Sequence, residues 1–60
     1  MRHTITYTYR TGNGDNREAT YTYTTDRPRK LTHLAAQRIV NREIIGVRPI
    51  VTHVNSIAYA

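Results

Sequence analysis

The side chains best equipped to act on another molecule are the cations in the middle of the chain. Arg27, Arg29 and Lys30 stand together, and Arg38 and Arg42 follow four residues apart with Gln37 and Asn41 beside them. Arginine presents a planar fork of donors that fits phosphate or carboxylate, and lysine a compact, mobile charge. Glutamine and asparagine amides can pair with base edges where a helix enters a major groove. Residues 26–48 hold six cations against two anions, Asp26 and Glu43, in a chain of net charge +5 and pI about 10.3. Such an excess favours a polyanion or an acidic protein surface. A solvated helix face is an equally common use of surface charge. The binding residues expected from this pattern are Arg27, Arg29, Lys30, Gln37, Arg38, Asn41 and Arg42, with Arg10 and Arg17 near a turn as an extension.

Other chemistries find little support. The acids are Asp15, Glu18, Asp26 and Glu43. Glu18 is expected opposite Arg10, Asp26 near a helix start and Asp15 in a turn. Glu43 and His33 lie too far apart along one helix to form a dyad, and Ser56 has no evident base. The chain has no cysteine, and His3, His33 and His53 are too scattered for a metal motif. Gly12-Asn13-Gly14 lacks the lysine and the strand-to-helix context of a phosphate loop and reads as a turn. The expectation is a non-enzymatic binding protein with no cofactor, no metal and no small-molecule substrate.

The elements that must carry these residues begin with a threonine–tyrosine alternation written twice. Thr4-Ile5-Thr6-Tyr7-Thr8-Tyr9 and Thr20-Tyr21-Thr22-Tyr23-Thr24 flank Gly12-Asn13-Gly14-Asp15-Asn16. Side chains alternate between faces along a strand, so odd residues share one face and even residues the other. A five-residue loop at 12–16 sets Thr11 opposite Arg17, Tyr9 opposite Ala19, Tyr7 opposite Tyr21, Ile5 opposite Tyr23 and His3 opposite Thr25. It pairs Arg10 with Glu18, Thr8 with Thr20, Thr6 with Thr22 and Thr4 with Thr24. This register matches aromatic with aromatic, threonine with threonine and cation with anion. The tyrosine face is expected to be core rather than a stacking platform for bases. The threonine face is expected to be solvated, or to pair with another subunit.

After the hairpin, Asp26-Arg27-Pro28-Arg29-Lys30 reads as a polar connector, because Pro28 disfavours a continuing strand. Thr32 is the N-cap candidate, with Leu31 and Ala36 as a hydrophobic staple; Asp26 is an alternative cap that would start the helix earlier. The helix is expected from about His33 to about Ile45. Ala35, Ala36, Ile39 and Val40 form its apolar stripe with Ile44 at the edge, and Gly46 is placed as the C′ residue. Ile50-Val51-Thr52-His53-Val54 and Ile57-Ala58-Tyr59 read as strand in conflicting phases. Either a bulge at Asn55-Ser56 reconciles them, or one strand turns Val51, His53, Ile57 and Tyr59 inward. The fold class is α+β: a single β-β-α-β domain over residues 1–60, with one helix on a three-stranded, mainly antiparallel sheet.

Sixty residues without tryptophan or phenylalanine build a thin core. Dimerisation through the threonine face or a strand edge would supplement it. No apolar run reaches membrane-spanning length, and the first residues lack a signal-peptide core. The chain is therefore expected to be a cytoplasmic, complete small gene product with no membrane contact.

The segment Thr32-His33-Leu34-Ala35-Ala36-Gln37-Arg38-Ile39, followed by Ile50 through Val54-Asn55, resembles small phage-encoded anti-CRISPR proteins of the type I-F inhibitor kind. The resemblance covers about half the chain and leaves out the hairpin. It implies a compact helix-on-sheet protein that binds a host nucleoprotein complex and blocks its access to target DNA. Arg38 and its neighbours would be the contacting residues. The expected partners are thus nucleic acid or a host nucleic-acid-handling complex, with a homodimer as a further expectation.

Overall fold

The computed structural model describes residues 1–58; Tyr59, and with it the expectation that it faces inward, lies outside the described residues. The elements are β1 (Arg2–Arg10), β2 (Asn16–Thr24), α1 (His33–Glu43) and β3 (Ile50–Ile57). They form one antiparallel sheet of order β2-β1-β3 with the helix on one face, the expected α+β arrangement.

The turn decides the hairpin register, and it differs from the expected one by two residues. The loop is 11–15, so Arg10 faces Asn16, Thr8 faces Glu18, Thr6 faces Thr20, Ile5 faces Tyr21 and His3 faces Tyr23. Thr11 is consumed by the turn. Its N–H donates to Asp15 C=O at 2.8 Å and its C=O accepts from Gly14 N–H at 2.9 Å. Its hydroxyl oxygen accepts from Asp15 N–H at 3.2 Å. Gly14 completes the reversal at φ 87°, a left-handed conformation that costs glycine little. A slip of two leaves every residue on its original face, so the alternation cannot discriminate between these registers. The expected Arg10–Glu18 pairing is replaced, and the tyrosines meet along rather than across the strands. Ring centroids are 6.1 Å apart for Tyr7–Tyr9 and 5.9 Å for Tyr21–Tyr23.

The helix begins where its cap dictates. Thr32 Oγ1 accepts from Ala35 N–H at 3.2 Å, the bond that makes threonine a good N-cap. It ends at Glu43, two residues before the expected Ile45. Ile44 turns to extended backbone while its N–H still reaches Val40 C=O at 2.8 Å, and Gly46 follows at φ 95°. Ala36 and Val40 are fully buried against Ile5, Tyr7 and Val51, and these five residues are the core.

β3 does carry a bulge, but it lies earlier than Asn55-Ser56 and leaves Ile50 and Ile57 both exposed, so it does not reconcile the two segments as expected. Thr6 faces His53 while Tyr7 faces Val51, which leaves Thr52 as the extra residue. Thr52 Oγ1 donates to Thr6 C=O at 3.2 Å across the irregularity. Val51 is buried, Val54 and Ser56 are half-buried, and His53 and Ile57 are exposed, so the uninterrupted odd-facing strand is also excluded. The choice follows from partners: Ser56 is required inside by His3 and Leu31, and Val51 N–H donates to Gln37 Oε1 at 2.9 Å.

The helix is narrower than the sheet. It packs chiefly over β3 and the centre of β1, and Tyr21 and Tyr23 of β2 are left half-buried beside it. With so few buried side chains, each matters. Ile5→Ala removes a fully buried side chain and is expected to cost about 2–5 kcal/mol, comparable to the roughly 3–9 kcal/mol that a domain of this size holds. A thermal melt followed by circular dichroism should show the cooperative transition lost or moved far down in temperature. Ile5→Val should retain it.

Candidate polyanion-binding surface

The cations Arg27, Arg29 and Lys30 sit on a connector without regular structure, yet both of its ends are tied to one buried histidine. His3, on β1, is 3% exposed. Its Nδ1 lies 2.8 Å from Ser56 Oγ on β3, and its Nε2 lies 3.2 Å from Thr25 Oγ1 at the connector's start. Ser56 Oγ also accepts from Leu31 N–H at 3.0 Å, at the connector's end.

One proton arrangement satisfies every atom. With a lone pair of Ser56 Oγ taken by Leu31 N–H, the serine hydroxyl donates to His3 Nδ1. His3 Nε2–H then donates to Thr25 Oγ1, whose hydroxyl points to Arg27 C=O at 3.4 Å. Among the described residues no buried polar side-chain atom lacks a partner. The His3 ring thus closes the connector into a loop from which three cations project.

Beneath that loop is a groove of about 340 Å³, lined by His3, Tyr23, Thr25, Arg27, Arg29, Lys30, Leu31, Thr32 and Ala35. The Tyr23 ring packs against His3 as a tilted pair, with centroids 5.1 Å apart and 39° between the ring planes. The groove therefore combines an aromatic floor with a cationic rim, and none of the chain's acids lines it.

Burial raises the Tyr23 phenol pKa above the ordinary 10.0; neighbouring Tyr21 adds to the rise, and the Arg42 cation opposes it. That opposition locates Arg42 electrically. It acts on Tyr23, which the helix leaves half-buried.

The remaining expected site residues divide. Arg38 and Arg42 are exposed one turn apart on α1, and Arg42 Nε donates to Glu43 Oε1 at 3.1 Å, the one ion pair among the described residues. At 74% side-chain exposure for Arg42, that pair leaves its guanidinium accessible. Gln37 and Asn41 are engaged within the fold. Gln37 Nε2 donates to Pro49 C=O at 2.7 Å and to Asn41 Oδ1 at 2.9 Å, while Gln37 Oε1 accepts from Val51 N–H. The Gln37 amide docks on the edge of β3 as another peptide group would, and holds the helix to the sheet.

The structure also joins two cations that the sequence keeps far apart. Arg10 and Arg48 line a second groove of about 430 Å³ with Thr11, Gly46 and Val47. This groove lies at the hairpin-loop end of β1. His3 and Arg10 are seven residues apart on that strand, or roughly 23 Å at strand rise. Arg48 was counted in the basic excess, but nothing local in the sequence pairs it with Arg10. Arg38 and Arg42 lie between the two grooves along the chain, on the helix.

Comparison of the chain with protein-family models, with curated proteins and with solved structures finds no match. Among the described residues no group of three metal-ligating side chains comes together, and no helix is long and apolar enough to cross a membrane.

Two outcomes are expected. His3→Ala should destabilise the fold by about 1–3 kcal/mol, because it leaves the half-buried hydroxyls of Ser56 and Thr25 short of a partner, and should speed amide exchange at Leu31 while the Thr4–Thr8 ladder stays protected. In an NMR titration of tyrosine ring carbons, Tyr23 should ionise above 10.0, Arg42→Ala should raise its pKa further and Tyr21→Phe should lower it. Since the folded pKa is the raised one, the contribution to stability is complete below about pH 10 and is lost as pH climbs through the folded value.

Proposed function

We propose that this protein is a non-catalytic binding module that engages nucleic acid, or the nucleic-acid channel of a host complex, in the cytoplasm. The observation that carries the reading is the groove in which Arg27, Arg29 and Lys30 rim a floor of Tyr23 and His3. Cations that follow a phosphate backbone beside an aromatic side chain able to stack on a base are the usual parts of sequence-tolerant single-strand binding. Arg38 and Arg42 extend the surface along the helix, and Arg10 with Arg48 extends it to the far end. Binding by this surface is charge neutralisation with little base readout. The commitment of Gln37 and Asn41 within the fold supports that emphasis. The resemblance of the helix and last strand to anti-CRISPR proteins supports a nucleoprotein complex of a phage host as the setting, with an inhibitory role.

The test is binding of labelled single-stranded DNA, duplex DNA and RNA at several salt concentrations. Log affinity is expected to fall linearly with log salt. The triple variant Arg27→Ala, Arg29→Ala, Lys30→Ala should weaken binding and flatten that slope by about 0.7 per lost contact on a single strand. Arg38→Ala with Arg42→Ala should do so in smaller measure. Binding unchanged in both variants would remove this surface from the function.

A further inference from the structure

The sheet has two edges, and they are treated differently. The outer edge of β3 carries the devices that keep an edge from pairing. Pro49 precedes it and is buried, the bulge at Thr52 breaks its line, and the Gln37 amide occupies Pro49 C=O and Val51 N–H. The outer edge of β2 carries none. Asn16–Thr24 runs nine residues in unbroken register with β1, without proline, glycine or lysine.

Which groups that edge presents follows from the ladder. Thr25 N–H donates to Met1 C=O at 2.9 Å, and Thr11 N–H donates to Asp15 C=O at 2.8 Å. Odd residues are thus the hydrogen-bonded pairs between β1 and β2. The N–H and C=O groups of Asn16, Glu18, Thr20, Thr22 and Thr24 therefore point away from the sheet.

We infer that a second copy of this chain pairs with β2 edge to edge, forming a two-fold symmetric antiparallel dimer with a continuous six-stranded sheet. Full overlap of the nine residues centres the two-fold axis on Thr20. Thr20 then faces Thr20 of the other copy, Thr22 faces Glu18 and Thr24 faces Asn16, with about ten main-chain hydrogen bonds at two per facing pair. The inner face gains as well. Tyr21 packs over the small Ala19 of the other copy, and Tyr23 meets the Arg17 guanidinium. These are the two tyrosines that the narrow helix leaves half-buried.

Charge favours the same choice. Although the chain carries +5, Asn16–Thr24 holds one cation and one anion, Arg17 and Glu18, so its contacting stretch is neutral. Neither cationic groove is lined by a residue of that edge's outward row. Tyr23 belongs to both surfaces, lining the connector groove and contacting the paired edge, but the pairing is tested without nucleic acid.

The experiment is sedimentation over a wide range of protein concentration, together with amide exchange. Wild type is expected to double its mass with rising concentration, and the amides of Glu18, Thr20 and Thr22 should become protected in parallel. Thr22→Pro removes an outward donor that β1 does not use, so helix content should persist. The dimer dissociation constant should rise roughly tenfold or more, since the loss counts once in each copy. A monomer at high concentration with those amides exchanging freely would overturn the inference, as would a dimer that instead protects the outer amides of β3. Should Thr22→Pro fail to fold, the wild-type exchange pattern decides between the same two outcomes.

Discussion

The course of the cationic connector at the His3 end of the molecule depends on one buried imidazole. His3 Nδ1 is hydrogen-bonded to Ser56 Oγ on β3 and its Nε2 to Thr25 Oγ1 at the end of the hairpin, while Ser56 Oγ accepts from Leu31 N–H at the entry to the helix. Three parts of the chain separated by tens of residues meet in that relay. Thr25 is also held to Met1 through main-chain hydrogen bonds; the relay adds the tie to Leu31 at the far end of an eight-residue stretch rich in cations and containing Pro28. Each hydroxyl both accepts and donates, so the relay is fully satisfied around the buried ring.

Gln37 plays the corresponding part on the other side of the helix. Its amide copies a peptide unit and closes the first residues of β3 against α1. The apolar core supplies the driving force, but it is only five residues wide. Two polar clamps at its borders therefore set where the helix sits, and they hold it toward β3. The consequence is an asymmetric molecule, with one covered sheet edge, one bare edge, and a strip of tyrosine beside the basic connector. The surfaces proposed for binding and for pairing are what the helix fails to cover.

Much of the fold was legible locally. The Thr/Tyr alternation separates the two faces of the hairpin, Thr32 caps the helix as its side chain and position require, and Ala36 and Val40 lie on the buried stripe. The candidate site was legible as composition: Arg27, Arg29 and Lys30 are adjacent in sequence and stay adjacent in space. The role of Gln37 was not, since an amide on a polar helix face looks the same whether it meets a base, water or a strand. The companionship of Arg10 with Arg48 was not either, because it depends on how the chain returns after the helix.

By itself the sequence determined whatever depends on period and on neighbours along the chain: which residues share a strand face, where a helix is capped, where positive charge concentrates. Tertiary structure alone decided the hairpin register, the site of the bulge in β3 and the anchoring of the connector. The reason is common to all three. Two registers of equal parity present identical faces, so the hydrogen bonds of the Thr11–Asp15 turn had to choose between them. The phase of β3 turned on whether Ser56 was needed inside, and the residues that require it, His3 and Leu31, lie 53 and 25 residues away.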